Sequence, residues 1–196
     1  MLRLTAVNAV LRRLGMTPVS VRDENGNSAA SQAERYLDDA DEACQSQGWH
    51  FNRKIDVSLT PDGATGKIAV PAGTFYRLDS YGSSVNTNVR VKGGFLYNID
   101  DNTDVFGGPV VVCYIERCLW VDLPETFASY IVSEASYALN RSHKNNQALD
   151  ALLMEEMQRR KVECKREDDE HSDTNVLKTA EMNLLRGRQK TYWSNY

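Results

Sequence analysis

The residues in this sequence best suited to chemistry are three histidines, four cysteines and a few closely set carboxylates. His50 stands out, because the run SQGWHFNRK places it between Trp49 and Phe51 just after Gly48. A histidine among aromatics could serve as a general base, hold a metal or stack on a nucleobase. The residues that follow point elsewhere. Trp49, Phe51, Ile55, Val57 and Leu59 all fall at odd positions, so an extended segment with one apolar face is expected. His50 then lies on the opposite face, as a surface or interface hydrogen-bonder. His143 and His171 are isolated in sequence, and neither stands at metal-ligand spacing from another histidine or from a cysteine.

In DDNTDVFGG, Asp100, Asn102 and Asp104 match the first three ligand positions of a calcium loop. The match then fails: Val105 stands where the sharp turn needs glycine and Val111 where a bidentate glutamate is required. Cys44, Cys113, Cys118 and Cys164 contain no C-x-x-C pair, so reduced and mostly buried thiols are expected rather than a zinc knuckle or redox motif. There is no phosphate-binding GxxxxGK run, no G-x-S-x-G elbow and no H-E-x-x-H pair. Asp38, Asp39, Asp41 and Glu42 read as the solvated face of a helix. Glycoside hydrolysis would need two carboxylates about 5 to 9.5 Å apart, one of them held protonated. Asp79, Asp100, Asp104, Glu116 and Asp122 are the candidates for such a hydrolase, and the sequence pairs no two of them. No catalytic, cofactor-binding or metal-ligating residue is therefore assigned, and no cofactor is expected.

Composition narrows the class of protein. The 196 residues are 41% hydrophobic and 26% charged, the balance of an ordinary globular chain. A net charge of -4 argues against a surface built to neutralise phosphates. The opening run MLRLTAVNAVLRRLGM carries arginines through its apolar stretch and no small-residue cleavage site, so a signal peptide is not expected. No run approaches the roughly 18 apolar residues of a membrane span.

The elements that must position these residues follow from periodicity. Leu4, Val7, Leu11 and Leu14 mark a first helix that Gly15 stops, and Ala29, Ala33, Tyr36, Leu37, Ala40 and Cys44 mark a second that Gly48 ends. From 49 to about 121 the reading is of short strands: a turn and strand in TPDGATGKIAVPAG, a hairpin across Gly93 and Gly94 in NVRVKGGFLYNI, and a strand buried on both faces in PVVVCYI. Helix resumes after Pro124 with Phe127, Tyr130, Ile131, Ala135, Ala138 and Leu139 on one face. A fourth helix carries Leu149, Leu152, Leu153 and Met157, but its continuation QRRKVECKREDDEH has only Val162 and Cys164 to bury and should stand in solvent or meet a partner. The expected fold is α+β: a helical bundle (1–48 plus 122–172), an inserted small antiparallel β-sheet or sandwich domain (49–121) and an extended C-terminal helix and tail (173–196) that docks on a partner. Leu177, Leu184 and Leu185 give that helix a stripe, and Arg186, Arg188, Tyr192 and Trp193 have the composition of interface anchors.

The order QSQGWHFN, LTPDGATGKIAVP, VRVKGGFLYNIDD and WVDLPETFASYIVSEAS resembles the tail tubular protein A, or head-to-tail adaptor, family of short-tailed phages, over about 1 to 140. In that family a helix closes on a G-W-x-F-N run, followed by a P-D-x-x-G-x-I-x-V-P strand, a K/R-G-x-x-L-Y hairpin and an acidic D-L-P that opens the next helix. The resemblance implies a structural virion protein of the tail, assembled in the host cytoplasm. It implies a dodecameric ring whose partners are the portal protein, the tubular nozzle protein, the tail fibre protein and further copies of the chain. It also implies that DNA passes through the ring without sequence-specific binding.

Overall fold

The computed structural model describes residues 1–21, 28–73, 75–79, 88–143 and 147–176, with the side chains of 143 and 172–176 excepted. Four α-helices and five strands are found among them: α1 (Arg3–Arg13), α2 (Ala29–Gln45), β1 (Arg53–Leu59), β2 (Phe75–Asp79), β3 (Val89–Lys92), β4 (Phe95–Asn98), β5 (Val110–Glu116), α3 (Glu125–His143) and α4 (Gln147–Val176). A single 3-10 turn, Trp120–Asp122, joins β5 to α3. The fold is α+β with a long C-terminal helix, as the periodicities predict.

Each helix buries the face its spacing marks. Val7 and Leu11 of α1 with its C-cap Leu14, Ala33, Leu37 and Cys44 of α2, and Phe127, Ile131 and Leu139 of α3 form one core. Ser28 caps α2, its hydroxyl accepting from the Ser31 N–H at 3.2 Å, which satisfies one of the unpaired donors of the first turn. Helix α4 packs chiefly on α3 and adds Leu153 and Cys164 to that core.

The strands form two antiparallel groups. In the first, β5 lies between β1 and β2; in the second, β3 pairs with β4. The hairpin turns at Gly93 and Gly94, whose φ angles of 61° and 82° suit a two-residue turn that needs both residues left-handed. Strand β5 is buried on both faces, as its unbroken apolar run predicts. Val110, Val112 and Tyr114 join Ile68, Leu96 and Phe106 in a second core, while Ile115, on the alternate face, reaches Gly48 just after α2.

Three expectations are corrected here. Trp49 and Phe51 are not strand residues: 49–52 is a turn and β1 begins at Arg53. Ile55 does not share the inward face of Val57 and Leu59 but is half exposed. An irregularity in the β1–β5 register between Lys54 and Val57, with Asp56 at φ 53°, adds a residue and reverses the alternation. The strand expected in KIAVP shrinks to one bridge, Ala69 to Phe95, although Ile68 is buried and its carbonyl accepts from the Leu96 N–H at 2.8 Å.

Candidate functional site

The most elaborate polar construction among the described residues lies where α2 meets the sheet, at the run that contains His50. Helix α2 ends at Gln45, and three residues on the chain turns at Gly48, with φ 79°. A Cβ there would stand 2.6 Å from Cδ1 of the fully buried Ile115, so this position combines a left-handed backbone with a close approach that only glycine allows. Asn52 is fully buried: its side-chain amide donates to the Gln45 carbonyl at 2.9 Å, and its Oδ1 accepts from the Trp49 N–H at 2.7 Å. Trp49 in turn donates Nε1–H to the Cys44 carbonyl at 2.8 Å and meets Phe127 edge-on, ring centroids 5.0 Å apart.

The same joint is tied to the exit of β5. Gln45 donates to Asp41 at 2.8 Å and to the Cys118 carbonyl at 3.2 Å, and its Oε1 accepts from the Cys118 N–H at 2.7 Å. Asp41 is therefore buried rather than part of a solvated face, and burial raises its pKa above the ordinary carboxylate value. The helical period alone does not mark it, because it sits beside apolar Ala40 at the border of the stripe. Arg53 donates to the Gly48 carbonyl at 2.7 Å and to Asp79 at 2.9 Å, which ties the turn to β2.

His50 is a hydrogen-bonder, but it does not point away from the aromatics. Its ring lies 5.6 Å from that of Phe51 and 5.8 Å from that of Phe127. Asp168 of α4 accepts from the His50 N–H at 2.6 Å and faces Nδ1 at 3.2 Å. His171 is not isolated either, since its ring centroid lies 4.2 Å from that of His50, with the planes inclined at 33°. Glu167 completes the group: one ligand atom from each of His50, Glu167 and His171 lies within 4.8 Å of the others. A separation of some 120 residues hid this cluster from sequence spacing. The one legible half was Glu167 and His171, four apart on a helix and so on one face. The His143 side chain lies outside the described residues.

These contacts also correct the picture of α4. Its polar second half does find its own bundle, through buried Cys164 and through Asp168, and just before that half Glu156 pairs with Arg13 at 2.7 Å. Val162 and Leu152 remain exposed. A shallow groove of about 460 Å³ along this helix is lined by Thr126, Glu163, Arg166, Glu167 and Glu170, a charged surface unlike the apolar cavities that take small molecules.

Three of the five carboxylates weighed for a hydrolase are held in ion pairs. Asp79 pairs with Arg53, Glu116 with Lys54 at 3.2 Å and Asp104 with Lys67 at 2.6 Å. Asp79 lies opposite Cys113 in the β2–β5 ladder, so Glu116 is three residues farther along, roughly 10 Å at strand rise. In the acidic turn, the Asn98 side chain organises the backbone: its Oδ1 accepts from the N–H groups of Asp100 and Asp101, and Tyr97 donates to Asn102. Asp122 sits in the 3-10 turn.

All four cysteines are free, and Cys118 alone is not fully buried. Burial raises the pKa of Cys44 and Cys118 and pushes that of Cys164 up to about 12. Thiolate, the reactive form, is therefore scarce. With a disulfide reagent at neutral pH, Cys118 should react first and slowly, while Cys44, Cys113 and Cys164 should react only after denaturant is added. Prompt labelling of Cys44 or Cys164, read by peptide mass, would contradict the core assignment.

Seven residues expected to bind partners, Leu177, Leu184, Leu185, Arg186, Arg188, Tyr192 and Trp193, lie outside the described residues. Among the described residues, no helix is long and apolar enough to cross a membrane. A helical layer is thus joined to a small β unit by buried polar ties, and Asp79, Glu116 and Asp104 are held in ion pairs. Residues 4–174 match the tail tubular protein family, and the chain belongs to that family. It is thus a structural component of a phage tail, associated with other parts of the virion. No curated protein matches the chain.

Proposed function

We propose that the chain is the head-to-tail adaptor of a short-tailed phage. On this reading it assembles in the host cytoplasm into a dodecameric ring between the portal and the tubular nozzle, supports the tail fibres, and surrounds the channel through which DNA leaves. The observation that carries the proposal is the family match over 4–174, together with the order of motifs that resembles the adaptor. Two further features support it. A net charge of -4 suits a channel wall that must let DNA slide without holding its phosphates. Leu2, Leu119 and Val121 are each about two-thirds exposed or more. They share one neighbourhood, because the N-terminal amine pairs with Glu125 at 3.1 Å and Arg3 stacks over Trp120 at 4.6 Å. Such a patch fits a subunit contact, and twelve-fold repetition makes modest contacts sufficient through effective concentration. The role is structural and involves no catalysis.

Within this reading, residues 1–48 with 122–172 form the bundle unit, 49–121 the inserted unit and 173–196 the docking segment. Its stripe of Leu177, Leu184 and Leu185 lies in a groove of the portal or of a neighbouring subunit, with Arg186, Arg188, Tyr192 and Trp193 as anchors. Size-exclusion chromatography with light scattering, with and without purified portal, tests the proposal: a large complex should form with portal. Truncation after residue 172 should leave the melting temperature nearly unchanged yet abolish that complex, and Leu177→Asp with Leu184→Asp should do the same. No complex from the full chain would overturn the adaptor role. A truncated chain that still joins the portal would remove the tail from the interface, and one that unfolds would make the segment part of the core.

A further inference from the structure

We propose that His50, Glu167 and His171 form a site for a divalent transition-metal ion of the zinc class, which clips the far half of α4 to the joint between α2 and β1. This inference is independent of the adaptor reading. The three residues place one ligand atom each within 4.8 Å of the others. Glu167 and His171, four apart, present their groups from one helical face, and His50 meets them from the turn after Gly48. Two imidazoles and a carboxylate are a donor set that zinc accepts, at about 2.0 to 2.2 Å from each ligand atom. Tetrahedral ligands at that radius stand roughly 3.3 to 3.6 Å apart, so side-chain rotation must close the present spread by about 1 Å. His171 is exposed and Glu167 half exposed, which leaves both side chains room to turn.

A second observation concerns the atom behind the site. Asp168 holds the His50 backbone N–H at 2.6 Å and faces its Nδ1 at 3.2 Å. A carboxylate on one ring nitrogen fixes the ring and its tautomer and leaves the other nitrogen, Nε2, for the metal; metal-binding histidines commonly have this outer partner. The His50 and His171 ring centroids lie 4.2 Å apart, which sets two imidazoles side by side at the cluster. Glu163 and Glu170, on the neighbouring turns of the same groove, pair with Arg160 at 3.0 Å and with Arg166 at 2.9 Å, so Glu167 is the groove's carboxylate that faces the two histidines. Calcium and magnesium, which prefer all-oxygen shells, fit poorly. The ion would hold His171 against the bundle and so set the direction in which α4 runs on to Val176.

The test uses the full-length, tag-free chain, stripped with chelator and titrated with zinc chloride in a calorimeter. One equivalent per chain should bind with a dissociation constant in the micromolar range or tighter, and the melting temperature should rise by several degrees. His171→Ala and Glu167→Gln, at positions that carry no core packing, should each weaken binding at least tenfold and remove the thermal shift. Asp168→Asn should weaken it roughly 10- to 100-fold, the usual effect of losing an outer partner. Glu163→Gln, one turn away, should bind as the parent does, and millimolar calcium or magnesium should not compete. Absence of saturable zinc binding would overturn the proposal. Undiminished binding in both His171→Ala and Glu167→Gln would do so too, because it would place the ion elsewhere, on the thiols for example.

Discussion

Replacing Trp49 with alanine should destabilise the protein by roughly 3 to 5 kcal/mol, the range for removing a large buried aromatic. At this chain length that corresponds to a fall in melting temperature on the order of 10 °C. Trp49 is 6% exposed, packs edge-on against Phe127 and bonds the Cys44 carbonyl. The substitution therefore leaves a cavity between α2 and α3 and takes a partner from the last turn of α2. Trp49→Phe keeps most of the packing and loses the indole N–H, so it should fall between parent and alanine by about 1 to 2 kcal/mol from the parent. Differential scanning calorimetry of the three proteins decides the matter. An alanine variant that melts within a degree or two of the parent would show that Trp49 does not help hold the bundle to the sheet.

Asn52→Ala should have an effect nearly as large, about 2 to 4 kcal/mol, although only a small polar group is removed. The reason is what it leaves behind. The Trp49 N–H, whose acceptor is Asn52 Oδ1 at 2.7 Å, becomes a buried donor without an acceptor, at a cost of roughly 1 to 3 kcal/mol. The amide donated to Gln45 is lost as well, and a small void opens beside β5, where the Asn52 carbonyl accepts from the Glu116 N–H at 2.8 Å. In urea the midpoint should fall while the slope stays the same, because the surface exposed on unfolding does not change. A midpoint within error of the parent would show that water satisfies the joint as well as asparagine does.

Both predictions concern the stretch that first looked like a candidate for catalysis, and they mark where sequence reading stops. The helices were legible because burial on a helix imposes a repeat of three and four. Val7, Leu11, Leu37, Phe127 and Leu139 reveal that repeat whatever they pack against. The hairpin was legible because a two-residue turn demands left-handed residues, and Gly93 with Gly94 supplies them. Strand β5 was legible because only a strand covered on both faces tolerates an unbroken apolar run. Ile55 was misread, since a bulge reverses alternation without leaving a mark in composition.

The joint and the His50 cluster were decided by tertiary structure alone. Asn52, Gln45 and Asp41 are polar residues, and sequence assigns polar residues to solvent. They are buried because the chain's crossing from α2 to β1, and from β5 to α3, leaves backbone groups that only their side chains can satisfy. His50 and His171 stand more than a hundred positions apart, and a pairing at that distance exists only once α3 has carried α4 back across the end of α2. Local spacing determined which elements form, because each element's burial repeats within a few residues. Which polar groups meet was left to the packing of those elements, because hydrogen bonds and ligand sets depend on positions in space that no short period encodes.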